Sequence, residues 1–262
     1  MYLENITSQV INVSKEAGDF IRQERKRFDP DKIEYKGLND MVSYVDQTAE
    51  RMIVNALDKI LPEAGFITEE KTTSKIAERY NWVIDPLDGT TNFIHGVPTY
   101  SVSIALKEHS ELVCGVIYEI NLDECFYAWK DAPAYLNGKE IKVSNNPTVS
   151  SSLIATGFPY YDFEKQPAYI ELFTELMKSC HGLRRLGSAA VDLAYTACGR
   201  FEAFYEYNLN AWDIAAGVLI VRQAGGKVTN FKGGDEVMDT RELLATNGKI
   251  AEEMLGIIQK YF

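Results

Sequence analysis

Apolar residues at the start of the chain recur at three- and four-residue steps. Leu3, Ile6, Val10, Val13, Ala17, Phe20 and Ile21 mark one face of a long amphipathic helix. The basic run Arg22, Arg25, Lys26 and Arg27 falls at its C-terminus, where it complements the helix dipole. Asp29-Pro30-Asp31 breaks the pattern, and residues 33–45 read as extended structure folded about a turn at 36–40. The helical period returns from Asp46 to Leu61, with Ile53, Ala56, Leu57 and Ile60 on one face. Gly65 to Thr68 reads as a short strand entering Glu69-Glu70, and a short helix is expected near Ile76 to Tyr80.

The run Trp82-Val83-Ile84 predicts a buried strand. Pro86 has no N–H to donate, so the ladder is expected to stop there. From Tyr100 to Val143 the pattern is mostly β: Val102, Ile104 and Leu106 alternate, 112–120 and 124–129 read as adjacent antiparallel strands, and Asn137-Gly138 is a hairpin turn. Beyond Ser152 the types alternate. Strands are expected at 152–156, 183–186, 203–207, 227–229 and 243–246, and helices at 169–178, 188–198, 212–224 and from 250. The Ser-, Asn- and Thr-rich stretch 144–152 is the best internal boundary. It divides a single unit, 1–262, into an α+β half (1–145) and an α/β half (146–262) that pack tightly.

Composition adds two constraints. An apolar fraction of 46% with 25% charged residues describes a globular chain with a sizeable core. A net charge of −11 argues against nonspecific nucleic-acid binding and against an anionic membrane surface. It also opposes phosphate binding, unless metal ions invert the local charge. Cys114, Cys125, Cys180 and Cys198 form no C-x-x-C pair, and His95, His109 and His181 are scattered, so a zinc site is not supported. Reduced thiols in a cytoplasmic protein are the simplest reading. The N-terminus lacks a signal-peptide pattern, and no apolar run approaches the roughly 18 residues of a membrane span.

The candidate chemistry sits in Asp85-Pro86-Leu87-Asp88-Gly89-Thr90-Thr91-Asn92. Two carboxylates after a buried strand serve no packing purpose, and an uncompensated buried pair is costly. The segment suits a hard cation beside a phosphate. Gly89 lets backbone approach a ligand, and Thr-Thr-Asn starts a helix whose free N–H groups attract an anion. Oxygen-rich clusters of this kind suit Mg²⁺. Other acids lie beside turns or helix starts: Asp40 and Asp46, Glu69 and Glu70, and Asp213. Singly, Asp46 reads as a helix cap, Glu69-Glu70 as a solvated loop and Asp213 as a dipole-complementing residue. No serine or cysteine sits in a nucleophile motif, which fits direct attack by water.

In combination these segments resemble a known family. Ile84–Asn92 and Ala211-Trp-Asp-Ile-Ala-Ala-Gly217 are similar to the two signatures of the inositol monophosphatase family, and Gly65-Phe-Ile-Thr-Glu-Glu70 resembles its third acidic segment. The match runs from the first helix to Gln223-Ala-Gly-Gly226. The resemblance implies a five-layer αβαβα fold of the inositol monophosphatase/fructose-bisphosphatase type and a lithium-sensitive, Mg²⁺-dependent phosphatase with two or three metals. By resemblance, Glu69 and Asp85 with the Leu87 carbonyl hold a first metal, and Asp85, Asp88 and Asp213 a second. Thr90 with Glu69 activates the attacking water, and Asp46 pairs with Thr90. Lys36 marks a mobile loop where a third, weaker metal binds. Gly89, Thr90 and Thr91 contact the phosphate, while Ser188, Ala189 and Glu206 touch the alcohol. Thr90-Thr91-Asn92-Phe93 resembles the inositol type, which favours inositol 1-phosphate as substrate. Broader members act on fructose 1,6-bisphosphate, the 2′-phosphate of NADP or 3′-phosphonucleotides, and Tyr160, Tyr161, Tyr205 and Tyr207 either widen such a pocket or pack the core. The family implies a homodimer acting on a small phosphorylated molecule. A non-catalytic binding module is the alternative, since some relatives bind transcription machinery.

Overall fold

The structure, a computed structural model, describes residues 2–28, 33–37, 40–158 and 163–262. The expected break at Asp29-Pro30-Asp31, the turn tip at 38–39 and Tyr160-Tyr161 lie outside the described residues. The chain opens with helix α1 (Tyr2–Lys26), a small hairpin β1 (Ile33–Gly37) and β2 (Asp40–Ser43), and helix α2 (Tyr44–Ile60). Then come β3 (Gly65–Thr68), β4 (Tyr80–Asp88), helix α3 (Thr90–His95), β5 (Ser101–Glu108), β6 (Glu111–Glu119), β7 (Glu124–Trp129), β8 (Ala134–Leu136) and β9 (Lys139–Ile141). These seven strands form one sheet in chain order, with β3 parallel to β4 and the rest antiparallel.

The second half supplies β10 (Leu153–Thr156), α4 (Gln166–Ser179), β11 (Gly182–Arg184), α5 (Ala189–Ala197), β12 (Ala203–Tyr207), α6 (Ala211–Gln223), β13 (Lys227–Thr229), α7 (Val237–Thr240), β14 (Glu242–Thr246) and α8 (Ala251–Ile258). Its five strands run β11-β10-β12-β14-β13.

Side-chain parity shows how the layers stack. On β4, Trp82 and Ile84 face a core shared with α1 and α2, while Val83 faces a second core shared with α5 and α6. A strand covered on both faces reads as a continuous apolar run, which is why the sequence there shows no alternation. On β12, Phe204 enters the middle core, whereas Ala203, Tyr205 and Tyr207 enter a third core with Tyr169 and Leu172 of α4 and Met254 and Ile258 of α8. The order is therefore α1/α2, large sheet, α5/α6, small sheet, α4/α8: the five-layer αβαβα fold. Tyr205 and Tyr207 are buried in the outermost core and pack it.

Two local expectations need correction. No helix forms at 76–80. Asn81 accepts the Ala77 N–H and returns its own amide to the Ala77 carbonyl, while the Phe66 N–H bonds the Lys75 carbonyl. These bonds tie the segment to Asn81 and to β3 and override its helix-forming composition. The β4 ladder does not end at Pro86 either. It continues to Asp88 through a bulge, with Asp85 opposite Ser103 and Asp88 opposite Ser101. Pro86 and Leu87 thus share one partner position, where a missing N–H is tolerated.

Candidate active site

The bulge decides what the Asp85-x-x-Asp88 spacing can do. Residues three apart on a regular strand point to opposite faces. One extra residue restores the parity. Leu87 turns into the core beneath α1 and α2, and Asp88 returns to the α5/α6 side shared by Val83 and Asp85. The bulge also turns the Leu87 carbonyl toward Thr90, whose hydroxyl is placed to donate to it at 3.0 Å. Gly89 follows at φ +95°, and a Cβ there would meet the Thr99 carbonyl at 3.0 Å, so only glycine fits this turn.

Each aspartate has an oxygen tied to nearby N–H groups. Asp85 Oδ1 accepts the Leu87 N–H at 2.9 Å. Asp88 Oδ2 accepts the Ser188 hydroxyl at 2.6 Å and the Ala190 N–H at 2.7 Å, at the start of α5. Asp213 is the third residue of α6, and its Oδ2 accepts the Asn210 N–H at 2.6 Å in a capping box. Asp46 occupies the same position in α2. Its Oδ2 accepts the N–H and hydroxyl of Ser43, and its Oδ1 accepts the Thr90 hydroxyl at 2.9 Å. Ser43, rather than Asp46, is the cap residue of α2. Glu69 follows β3 immediately and is fixed by its own N–H to the Ile84 carbonyl at 3.3 Å.

The acids are close enough to change one another's protonation. Burial, then Glu69, Asp88 and Asp213, push the Asp85 carboxyl well above its usual range. Burial pushes Asp88 up to about 6 despite its hydrogen bonds from α5, and Asp213 up to about 7, with Asp88 adding to the latter. Burial also raises Asp46, opposed by its bonds from Ser43 and Thr90. Among the described residues no three acids, imidazoles or thiols form a closed metal cage. The donor set nevertheless fits a hard divalent cation. It offers carboxylates, the Leu87 carbonyl and pre-tied second oxygens, with mutual repulsion that a cation relieves.

The other side of the site is built differently. Glu206 lies near the end of β12, on the face opposite Tyr205 and Tyr207. Burial, then Asp213, push its carboxyl up to about 8, and Arg185 pulls the other way. A Cβ on Gly157 would lie 2.0–2.3 Å from the Glu206 carboxylate, so that glycine makes the space in which Glu206 sits. Arg185 lies over the Phe158 ring at 4.6 Å. Asp192, buried on α5, has an Oδ1 with no hydrogen-bond partner, and burial raises its carboxyl well above the usual range, with Glu206 and Asp88 adding to it. Ser188 and Ala189, expected against the alcohol, are buried at the start of α5 beside Asp88. Asn92 joins the two halves by donating to the Thr99 and Leu186 carbonyls at 2.8 Å each. Lys36 is the unpaired residue of a bulge in the β1–β2 hairpin. Gly157, Arg185 and Asp192 escaped the sequence reading and carry no local motif. Ser43 was legible, because Ser-x-x-Asp before an apolar run is a capping-box pattern.

Carboxylates just after β3, on β4 and at the starts of α2 and α6 gather beside a hydroxyl–carboxylate pair, and the fold that gathers them is that of a phosphatase family. The chain belongs to the inositol monophosphatase family, whose sequence profile matches residues 2–261. It is 39% identical over 256 residues to the Nus factor SuhB of Pseudomonas aeruginosa, covering 96% of this chain and 94% of that one. It is 38% identical over 229 residues to the inositol-1-monophosphatase of Mesorhizobium japonicum, covering 87% and 86%. The crystal structure of the extragenic suppressor protein suhB from Bartonella henselae superposes with a TM-score of 0.92 at 35% identity, covering 98% and 100%. No helix among the described residues is long and apolar enough to cross a membrane.

Proposed function

We propose that this protein hydrolyses phosphate monoesters of small polyols with Mg²⁺, inositol 1-phosphate first among them, and that water attacks phosphorus directly. One observation carries the reading: Glu69 after β3, Asp85 and Asp88 on β4 and Asp213 on α6 converge beside the Thr90–Asp46 pair. Glu69, Asp85, the Leu87 carbonyl, Asp88 and Asp213 would hold the metals. The bound ions would offset charge on the phosphoryl oxygens and make a water proton easier to remove.

The protein's own groups then act on that water and on the substrate. The Thr90 hydroxyl has acceptors in Asp46 at 2.9 Å and the Leu87 carbonyl at 3.0 Å, so its proton is engaged and a lone pair can receive a hydrogen bond from water. Glu69, on the same side, takes the water proton. Gly89, Thr90 and Thr91 offer N–H groups and a hydroxyl to the phosphate. Glu206, with Ser188 and Ala189 nearby, meets the alcohol. A carboxyl pushed up to about 8 keeps its proton at neutral pH and can both donate to and accept from a polyol hydroxyl.

The experiment is phosphate release from inositol 1-phosphate, fructose 1,6-bisphosphate, NADP and a 3′,5′-nucleotide, with Mg²⁺ and with EDTA. The expected result is EDTA-sensitive turnover with inositol 1-phosphate ahead. A preference for NADP or the bisphosphate replaces the substrate but keeps the chemistry. A second reading, a Nus-factor role, is favoured by the name of the Pseudomonas aeruginosa relative. Absence of phosphate release from every ester would leave that reading in the lead.

A further inference from the structure

We propose that Glu50 is a positioning residue for the metal site, holding the loop that presents Glu69; the inference rests on the metal-dependent reading above. Glu50 lies on α2 one turn beyond Asp46 and is fully buried. An ionisable side chain with no exposure needs a structural reason. Its hydrogen bonds supply one, because all three go to the stretch just after Glu69. Oε2 accepts the Glu70 N–H at 2.7 Å, and Oε1 accepts the Thr72 N–H at 2.8 Å and the Thr72 hydroxyl at 2.7 Å.

The far end of that stretch is pinned by the Phe66 N–H on the Lys75 carbonyl and by Asn81 on Ala77, and Glu50 holds its start. Residues 71–77 form no regular structure, and Lys71 adopts φ +54°. On the other side, the Glu69 N–H donates to the Ile84 carbonyl at 3.3 Å. A carboxylate accepts at both oxygens, which matches three donors converging from one loop. Glutamine would turn an N–H₂ toward one of them. Asp46 and Glu50, four residues apart on one helix face, therefore hold two of the segments that build the site. Asp46 grips Thr90 after β4, and Glu50 grips the loop after β3. Through Glu70, Glu50 sets where Glu69 stands before any cation arrives. Groups that orient metal ligands in this way typically change metal affinity by roughly 10–100-fold when removed.

The test measures Mn²⁺ binding by electron paramagnetic resonance of the free ion, which reads the site without turnover. Glu50→Gln should raise the Mn²⁺ Kd by roughly 10–100-fold. At saturating Mg²⁺ it should leave KM for inositol 1-phosphate unchanged and restore most of kcat. Thr72→Val, which removes one of the three bonds and keeps Glu50, should raise the Kd in the same direction by a smaller factor, and it serves if Glu50→Gln does not fold. A variant with lower Tm but wild-type Mn²⁺ affinity overturns the inference and leaves Glu50 a packing residue. A wild-type protein that binds no Mn²⁺ overturns the metal reading, and this inference with it.

Discussion

The two sides of the site are held by opposite means. On the metal side, Asp46, Asp85, Asp88 and Asp213 each have an oxygen tied by N–H or hydroxyl donors, and a bulge and two capping boxes set their directions. On the alcohol side, Glu206 is placed by room rather than by bonds: Gly157 lacks the Cβ that would displace it. Over-determined geometry suits a reaction that tolerates little error, since misplacement of reacting groups is costly in rate. A carboxylate held only by space can be redirected by one methyl group. Members of such a family can then change substrate on one side while keeping the chemistry on the other.

The sharpest way to break this contrast is Asp88→Asn. The amide keeps the shape and one oxygen acceptor for α5, so Tm should change little. The kcat should fall by roughly 10²–10³-fold, the scale of losing one electrostatic group in an active site. Near-normal kcat in a phosphate-release assay would remove Asp88 from the metal side. Next is Thr90→Ala, which should lower kcat by about 10²-fold, at the low end of proton-transfer catalysis, and leave KM nearly unchanged. A raised KM with normal kcat would instead make Thr90 a binding residue.

Gly157→Ala probes the other side. Its φ lies in the range any residue adopts, so the new methyl should push the Glu206 carboxylate aside rather than strain the backbone. The kcat/KM for inositol 1-phosphate should fall by about 10-fold, while p-nitrophenyl phosphate, with no hydroxyl for Glu206, should be unaffected. Equal losses on both substrates would mean that the two sides are not independent.

The smallest expected effect is on stability against pH. Asp88, Asp213 and Glu206 have folded-state values of about 6, 7 and 8, above those of an unfolded chain. The metal-free protein gains stability from these protonated groups at low pH and loses it as pH rises through those values. Its Tm should fall between pH 6 and 8, and Mg²⁺ should raise Tm more at pH 8 than at pH 6. A Tm that Mg²⁺ shifts equally at both pH values would argue that the acids do not share a cation.

Much of this was legible in the sequence, for identifiable reasons. The α1 stripe, the Asn137-Gly138 hairpin and the strand before Asp85 depend on local periodicity and turn chemistry, which a sequence carries openly. Most of the failures involve distant partners. Ile76 to Tyr80 looks helical until the Asn81 side chain claims the Ala77 backbone and Phe66 takes the Lys75 carbonyl just before it. Pro86 looks like a strand end until Val102, on β5, faces the bulge it shares with Leu87. Glu50 looks like one more acid on an amphipathic helix until the loop after β3 folds over it. Gly157 carries no pattern, because its meaning lies in the carboxylate of a residue far along the chain.

The bond between Asp88 and the start of α5 also governs how the protein comes apart. Asp88 belongs to the seven-stranded sheet, and Ser188 and Ala190 lie between strands of the five-stranded one. Neither half can melt without breaking the hydrogen bonds between the Asp88 carboxylate and the start of α5, so partial unfolding is penalised from both directions. The active site is thereby a thermodynamic seam. Calorimetry should record one cooperative transition, its calorimetric and van't Hoff enthalpies agreeing, rather than two domain melts.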